Sequence, residues 1–255
     1  MSIKKILVSQ PKPASDKSPY FDVAKKHNVE IVFRPFIKIE GLSSRDFRKQ
    51  RINLTDFTAV IFTARTAVDN FFRLCEEMRI NIPDTMKYFC TTEAIALYLQ
   101  KYTVYRKRKI FVGKTGKLID LTPSLVKHKN EKYLLVVSDV NNADDARALA
   151  DAKVNVTRAV MYRTVSNDFQ PDEPFDYDML VFFSPQGIDS LLKNFPDFKQ
   201  NDTAIAAFGV NSCKAVTDAG LRLDVQAPNE KARSMAEAID HFLSETSPSA
   251  DEFAS

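Results

Sequence analysis

The sequence predicts an α/β protein made of two related units, each a parallel sheet with helices packed against it. Three observations carry this reading. VFFSPQGIDSLLKNF, Val181 to Phe195, holds an apolar β run, a polar turn and helically spaced apolar residues in one stretch. VIFTARTAVDNFFRL, Val60 to Leu74, repeats the plan, with Thr63 set against Ser184 at the end of the strand. Each stretch is then followed by a further strand, turn and helix, YFCTTEAIALYLQKY in one half and AIAAFGVNSCKAVTDAGL in the other. Strands that alternate with helices imply parallel pairing with right-handed crossovers.

Taken in order, Ile3 to Ser9 reads as a strand stopped by Gln10 and Pro11, and a helix follows from Ser18 and Pro19, where proline suits the first turn. Val29 to Glu40 is a β run broken at Pro35. Arg45, Arg48, Lys49 and Arg51 do not gather on one stripe at helical spacing, which predicts a solvated helix face. Beyond the first repeat come a strand at Ile110 to Val112, a turn at Gly113 to Gly116, a strand at Tyr133 to Asp139, a capped helix over 141–153 and a long β run at Val154 to Val165. Phe169 to Tyr177, rich in proline and acid, is expected to be a loop. The rest reads as strand (Met179 to Ser184), helix, strand (Ala204 to Phe208), helix, strand (Leu223 to Ala227) and a helix from Lys231 to Leu243.

Strand counting assigns the ends of the chain to each other. The stretch from Val60 to Val156 offers five strands, whereas Met179 onward offers three, too few for a doubly wound sheet unless Ile3 to Ser9 and Val29 to Phe33 join it. The expected organisation is a discontinuous domain of residues 1–35 and 166–245, an inserted domain of 41–158, connections at 36–40 and 159–165, and a disordered tail at 246–255.

Composition narrows the function. Six glycines against 19 phenylalanines leave little glycine-loop machinery, which weighs against a nucleotide or flavin carrier. A net charge of +3 falls short of the basic face of a nucleic-acid-binding domain. No stretch approaches the ~20 apolar residues of a membrane span, and the first residues lack a signal-peptide core, so a cytoplasmic protein is expected. Cys75, Cys90 and Cys213 stand apart in apolar surroundings, as buried thiols do. There is no GxSxG, HExxH or paired-cysteine motif, and His27, His128 and His241 are scattered in polar contexts, which predicts surface residues. VGKTGK, Val112 to Lys117, lacks the upstream glycine of a phosphate loop, although Lys114 could meet a carboxylate.

What remains is a set of hydroxyl-rich turns at strand ends: Thr63 to Thr66 with Arg65, Thr91 and Thr92, Ser138, Ser184 to Gly187 with Gln186, and Gly209 to Ser212 with Asn211. On a doubly wound sheet these turns line the carboxyl edge, where helix N-termini offer free N–H groups to anions. Two such edges facing across a cleft would suit a ligand with several carboxylates. Each hydroxyl could equally be an ordinary helix cap. On these features a catalyst and a non-catalytic module that closes on a polycarboxylate or other anion are both possible.

The order VMYRTV, FFSPQGI and AAFGVNSCKAVTDAGL, over nearly the whole chain, resembles the uroporphyrinogen-III synthase family. The resemblance implies two flavodoxin-like domains joined by a two-stranded linker, with one domain built from both chain ends. It implies a lyase acting on hydroxymethylbilane, a linear tetrapyrrole with eight carboxylates, and cyclising it with inversion of ring D through a spiro intermediate. It implies no cofactor and no metal, no nucleic-acid or membrane partner, and a monomer as the simplest state. By matching, Tyr162 takes the family tyrosine's place and assists the leaving hydroxyl. Ser184 and Gly187 fall on the Ser-x-x-Gly turn, and Asn211 with Ser212 on the Thr-Thr turn. Gln10, Cys90, Asn211 and the Ser138–Asp139 turn depart from the family's usual residues.

Overall fold

The protein is described by a computed structural model covering residues 3–140, 147, 149–150 and 153–246. The chain divides into two compact units, Met1–Lys38 with Val165–Ser255 (unit 1) and Ile39–Thr164 (unit 2).

Unit 1 contains β1 (Lys5–Val8), β2 (Glu30–Phe33), β9 (Met179–Phe182), β10 (Ala204–Phe208) and β11 (Val225–Ala227) in the order β11-β10-β9-β1-β2, all pairs parallel. Successive side chains on a strand face opposite ways, and here both faces are covered. Leu7, Leu180, Phe182 and Ile205 pack on α6 (Pro185–Asn194) and α7 (Val210–Asp218) through Ile188, Leu191 and Val216. Ile6, Val8, Met179 and Val181 pack on α1 (Pro19–His27) and α8 (Met235–Thr246) through Val23, Ile239 and Leu243. This explains why the strands read as unbroken apolar runs. Asp240 of α8 joins the two outer helices, accepting from Lys26 Nζ at 2.7 Å and meeting His27 Nε2 at 2.6 Å.

Unit 2 carries β3 (Ile37–Gly41), β4 (Ala59–Phe62), β5 (Lys87–Cys90), β6 (Ile110–Val112), β7 (Tyr133–Ser138) and β8 (Val156–Ser166) in the order β3-β8-β7-β4-β5-β6. Val60, Phe62, Tyr88 and Leu134 bury one face together with Ala67, Val68, Phe71 and Leu74 of α3 (Arg65–Glu77), and Ile95 and Ala96 of α4 (Glu93–Tyr98). Ile61, Phe89, Tyr133 and Leu135 bury the other face with Leu118, Leu121 and Leu125, the last from α5 (Thr122–Lys127). Phe47 of the short α2 (Ser44–Arg48) is fully buried on the first face, while Arg45, Arg48 and Lys49 point outward.

The break at Pro35 is real, since β2 ends at Phe33 and β3 starts at Ile37. Arg34 fills that gap. Its guanidinium donates to Glu173 at 2.8 and 3.1 Å and to the carbonyls of Pro35, Asn167 and Asp168, and it lies 3.6 Å over the ring of Phe169. The carboxyl of Glu173 is held below its usual value, first by that hydrogen bond. Residues 36–40 and 159–165, expected as connections, lie largely within β3 and β8, neighbours in the unit 2 sheet.

Other expectations shift at the edges. The last helix starts at Met235, not Lys231, because Asn229 Oδ1 accepts from Lys231 and Ala232 N–H to fold a turn, and Ser234 Oγ caps Glu237 N–H. It also runs to Thr246, one residue into the expected tail, and 247–255 lie outside the described residues. The strand before it spans Val225–Ala227 only. Most of the helix expected over 141–153 also lies outside the described residues. His27 and His128 are not surface residues: His27 meets Asp240, and the ring of His128 lies 4.4 Å from that of Phe111, with Nδ1 2.9 Å from Ser124 O. Among the described residues no helix is long and apolar enough to cross a membrane.

Candidate active site at the carboxyl edges of the two sheets

Strand order singles out one place on each sheet. In a doubly wound sheet, neighbouring strands whose connections leave in opposite directions open a crevice beyond their carboxyl ends. In unit 1 that point lies between β1 and β9, the ordering of a flavodoxin-like sheet, so the turns at Ser9–Gln10 and Ser184–Gly187 flank it. The five parallel strands of unit 2 run β6-β5-β4-β7-β8, so the crevice lies between β4 and β7, and Thr63–Thr66 and Ser138–Asp139 flank it.

Helix caps decide which turns keep free N–H groups. The cap residue of α3 is Ala64, with φ −151° and ψ 156°, and that of α6 is Ser184, with φ −154° and ψ 153°. Each stands two residues beyond its strand, after Phe62 and Phe182. The two repeats are therefore offset by one from the match of Thr63 with Ser184: Ala64 takes the place of Ser184, and buried Ala67 that of Gly187. Among the described residues neither cap position has a side-chain bond, so the N–H groups of Arg65 and Thr66 on α3 remain open to an anion; on α6 only that of Gln186 does, since Pro185 has no N–H and Gly187 N–H donates to Ser184 O at 3.0 Å. Gly209, the cap of α7, has φ 84°, a left-handed conformation suited to glycine, and no side chain.

The remaining predicted positions divide. Thr63 and Thr66 are half-buried and Arg65 is exposed. Thr91 is buried, its hydroxyl donating to Thr63 O at 3.5 Å. Thr92 is a helix cap, its Oγ1 accepting from Ile95 N–H at 3.3 Å. Lys114 has an exposed side chain, but its turn is closed from within: Asp120 Oδ2 accepts from the N–H groups of Lys114 and Thr115 and from Thr115 Oγ1 at 3.1, 2.5 and 2.7 Å. Those donors hold the carboxyl of Asp120 low, with the Thr115 N–H foremost. Gln186 is half-buried, Gly187 and Ser212 are buried, and Asn211 is exposed. A Cβ on Gly187 would stand 3.1 Å from the Phe182 ring, which restricts that position to glycine or a local rearrangement.

Tyr162 lies beside the unit 2 crevice. It pairs across the sheet with Ser138, after a shift of register between Val137 and Ser138, so the two meet where β7 ends. Asp139 fixes the join, its N–H donating to Tyr162 O at 3.2 Å and its carboxylate accepting from Thr164 N–H at 3.1 Å. That gives Asp139 a structural role in a turn that departs from the family's usual residues. Tyr162 is 7% exposed, and burial raises its phenol pKa above the ordinary value, so it is a neutral donor at pH 7. Among the described residues its hydroxyl has no hydrogen-bond partner.

Burial also pushes the phenols of Tyr20 and Tyr88 up to about 12. Both bind their proton more tightly folded than unfolded, so their stabilisation is whole below about pH 10 and is lost as pH rises through about 12. The urea midpoint is expected to hold from pH 8 to 9 and fall from pH 10 upward. A midpoint unchanged to pH 11.5 would contradict it.

A cavity of about 500 Å³ opens elsewhere in unit 2, at the amino ends of β5 and β6, lined among others by Phe72, Tyr88, Tyr102 and Arg106. None of the predicted site residues lines it. Strand topology and the open helix termini single out the opposite edge as the candidate site.

A model of the family described as uroporphyrinogen-III synthase HemD matches residues 19–237. The chain belongs to that family. The match spans both units and includes Tyr162 and the turns described above, except that at Ser9–Gln10. Uroporphyrinogen-III synthetase from Helicobacter pylori shares the fold at 15% identity and a TM-score of 0.58, over 95% of this chain and all of that one. A mutant uroporphyrinogen III synthase from Thermus thermophilus does so at 15% identity and a TM-score of 0.50, over 95% and 99%. No curated protein sequence matches the chain.

This uroporphyrinogen-III synthase family member also holds one cluster, between α3 and the segment that follows α4, that the turns did not point to. Asp69 accepts from Tyr98 Oη at 2.9 and 3.0 Å, from Lys101 Nζ at 3.2 Å and from Tyr102 Oη. Its sequence signal was two i,i+4 pairs, Arg65 with Asp69 and Tyr98 with Tyr102, which place each pair on one helical face.

Proposed function

We propose that this chain is a uroporphyrinogen-III synthase, converting hydroxymethylbilane to uroporphyrinogen III with release of one water. The match of the family over residues 19–237 carries the reading. A pyrrole nitrogen of the substrate supplies the electron pair as the C–O bond breaks, giving an azafulvene. The substituted carbon of ring D then forms a C–C bond to it, giving the spiro intermediate. That intermediate fragments, and ring D recloses in the inverted sense. The proton lost on rearomatisation balances the one taken up by the departing hydroxyl.

Tyr162 supplies the hydrogen bond that lets the hydroxyl leave as water, a task for a neutral phenol. Thr63, Arg65, Thr66 and Ser138 on unit 2, and Ser184 and Gln186, with its open N–H, on unit 1, receive substrate carboxylates and fix the chain's geometry. Thr91, Thr92, Gly187 and Ser212 serve mainly to shape these turns, and Lys114 and Asn211, both exposed, offer further polar contacts to a carboxylate. Incubating the protein with fresh hydroxymethylbilane and separating the isomers tests the reading: type III product is expected, and only the spontaneous type I product would reject it. Placing a carboxylate at the open end of α3, by Ala64→Asp, is expected to stabilise the helix by about 0.5–1 kcal/mol while raising KM. A raised melting temperature with unchanged KM would remove that terminus from the binding surface.

A further inference from the structure

Arg65 stands on the first turn of α3, exposed, with the centre of its guanidinium 5.4 Å from the centroid of the Tyr98 ring. Asp69, one turn on, is the carboxylate that would ordinarily pair with it. It does not do so. Asp69 is instead taken by Tyr98, Tyr102 and Lys101. Burial opposes its charge, but the hydrogen bonds from those three outweigh burial and keep the carboxyl below its usual range. Among the described residues Arg65 therefore forms no ion pair. A cation held over an aromatic face keeps its in-plane N–H donors free, and the Tyr98 ring is itself fixed by its hydroxyl on Asp69. Tyr102, stacked on Phe72 at 4.5 Å, anchors the far side of the cluster.

We propose that Tyr98 is a positioning residue for Arg65, and that Asp69, by engaging Tyr98, Tyr102 and Lys101, leaves the guanidinium free for a carboxylate of the tetrapyrrole. This rests on the function proposed above. An alternative arrangement, Arg65 folded onto Asp69, would neutralise the one side chain on this turn able to grip a carboxylate in two-point fashion.

The test is a double-mutant cycle read by binding of uroporphyrin I, an octacarboxylate tetrapyrrole whose binding does not depend on turnover. Tyr98→Leu is expected to weaken binding about two- to five-fold, the scale of one exposed cation–π contact. Tyr98→Phe keeps the ring and is expected to lose less. In an Arg65→Ala background, Tyr98→Leu is expected to change nothing further, because its effect passes through Arg65. In turnover, Tyr98→Leu is expected to raise KM with kcat within about two-fold. If Tyr98→Leu does not fold, Tyr98→Met, which fills much of the ring's volume, takes its place in the cycle. Unaltered affinity in Tyr98→Leu, an undiminished effect in the Arg65→Ala background, or no uroporphyrin binding by the wild-type protein would each overturn the proposal. Coupled binding effects in a protein that yields only type I product would sustain this inference while rejecting the synthase reading.

Discussion

Tyr162→Phe is expected to lower turnover of hydroxymethylbilane about a hundredfold, the smaller end of what a positioned proton donor contributes, with the melting temperature nearly unchanged. The ring of Tyr162 is part of the buried core of unit 2 beside Ala159 and Met161, and phenylalanine fills the same volume. Its hydroxyl has no partner within the described residues, so removing it strands no buried donor or acceptor. The loss should fall on kcat, with KM little altered, if the phenol acts on the departing hydroxyl and not on a carboxylate. Because burial raises its pKa, the rate should show no fall between pH 7 and 9 from loss of this proton. A variant that keeps full turnover would remove Tyr162 from the chemistry.

The largest effect on stability is expected from Phe182→Ala, at about 3–5 kcal/mol. Phe182 ends the central strand of unit 1, is fully buried, and meets Phe36 edge-to-face with ring centroids 5.3 Å apart. It is also the wall against which Gly187 is packed, so the substitution opens a cavity beneath the first turn of α6. Folded domains are stable by only about 5–15 kcal/mol. Urea unfolding should show a clearly lowered midpoint, and hydrogen exchange should rise in peptides of residues 1–38 and 165–246 before those of 39–164. Equal acceleration in both units would mean that they unfold together, and a midpoint within error of wild type would mean that the site collapses without a void.

The predicted elements survive with small changes because their cause is local and repeated. A strand covered on both faces must be apolar at every position, and AVIF, LLVV, MLVF and AIAAF can form little else once helices flank them. Pro35 removes an N–H, so the chain had to leave one sheet there. The N-terminal strands return to the C-terminal unit for the same reason: three parallel strands bury too little surface alone.

The site was legible in residue type and poorly legible in role. Thr63 and Ser184 look equivalent in sequence, yet the backbone sets Ala64 against Ser184, a one-residue offset that alignment on hydroxyls hides. Thr91 and Thr92 look alike and differ completely, one facing inward to Thr63 O and the other capping α4. Lys114 reads as a free cation on an open loop, but the loop's donors are claimed by Asp120, six residues later.

By itself the sequence determined the α/β class, the pairing of the chain's two ends and the absence of a nucleophile motif, because each follows from periodicity, strand number or residue identity along a short stretch; Tyr162 was marked only by the resemblance to the family. Strand order was decided only by tertiary structure: which strands neighbour which selects the crevices between β1 and β9 and between β4 and β7, and hence which turns flank them. Tertiary structure also decided partnership. Asp69 lies four residues from Arg65, but the phenols and ammonium that hold it come from residues 98–102, and no local pattern says which of two possible cations a carboxylate will take.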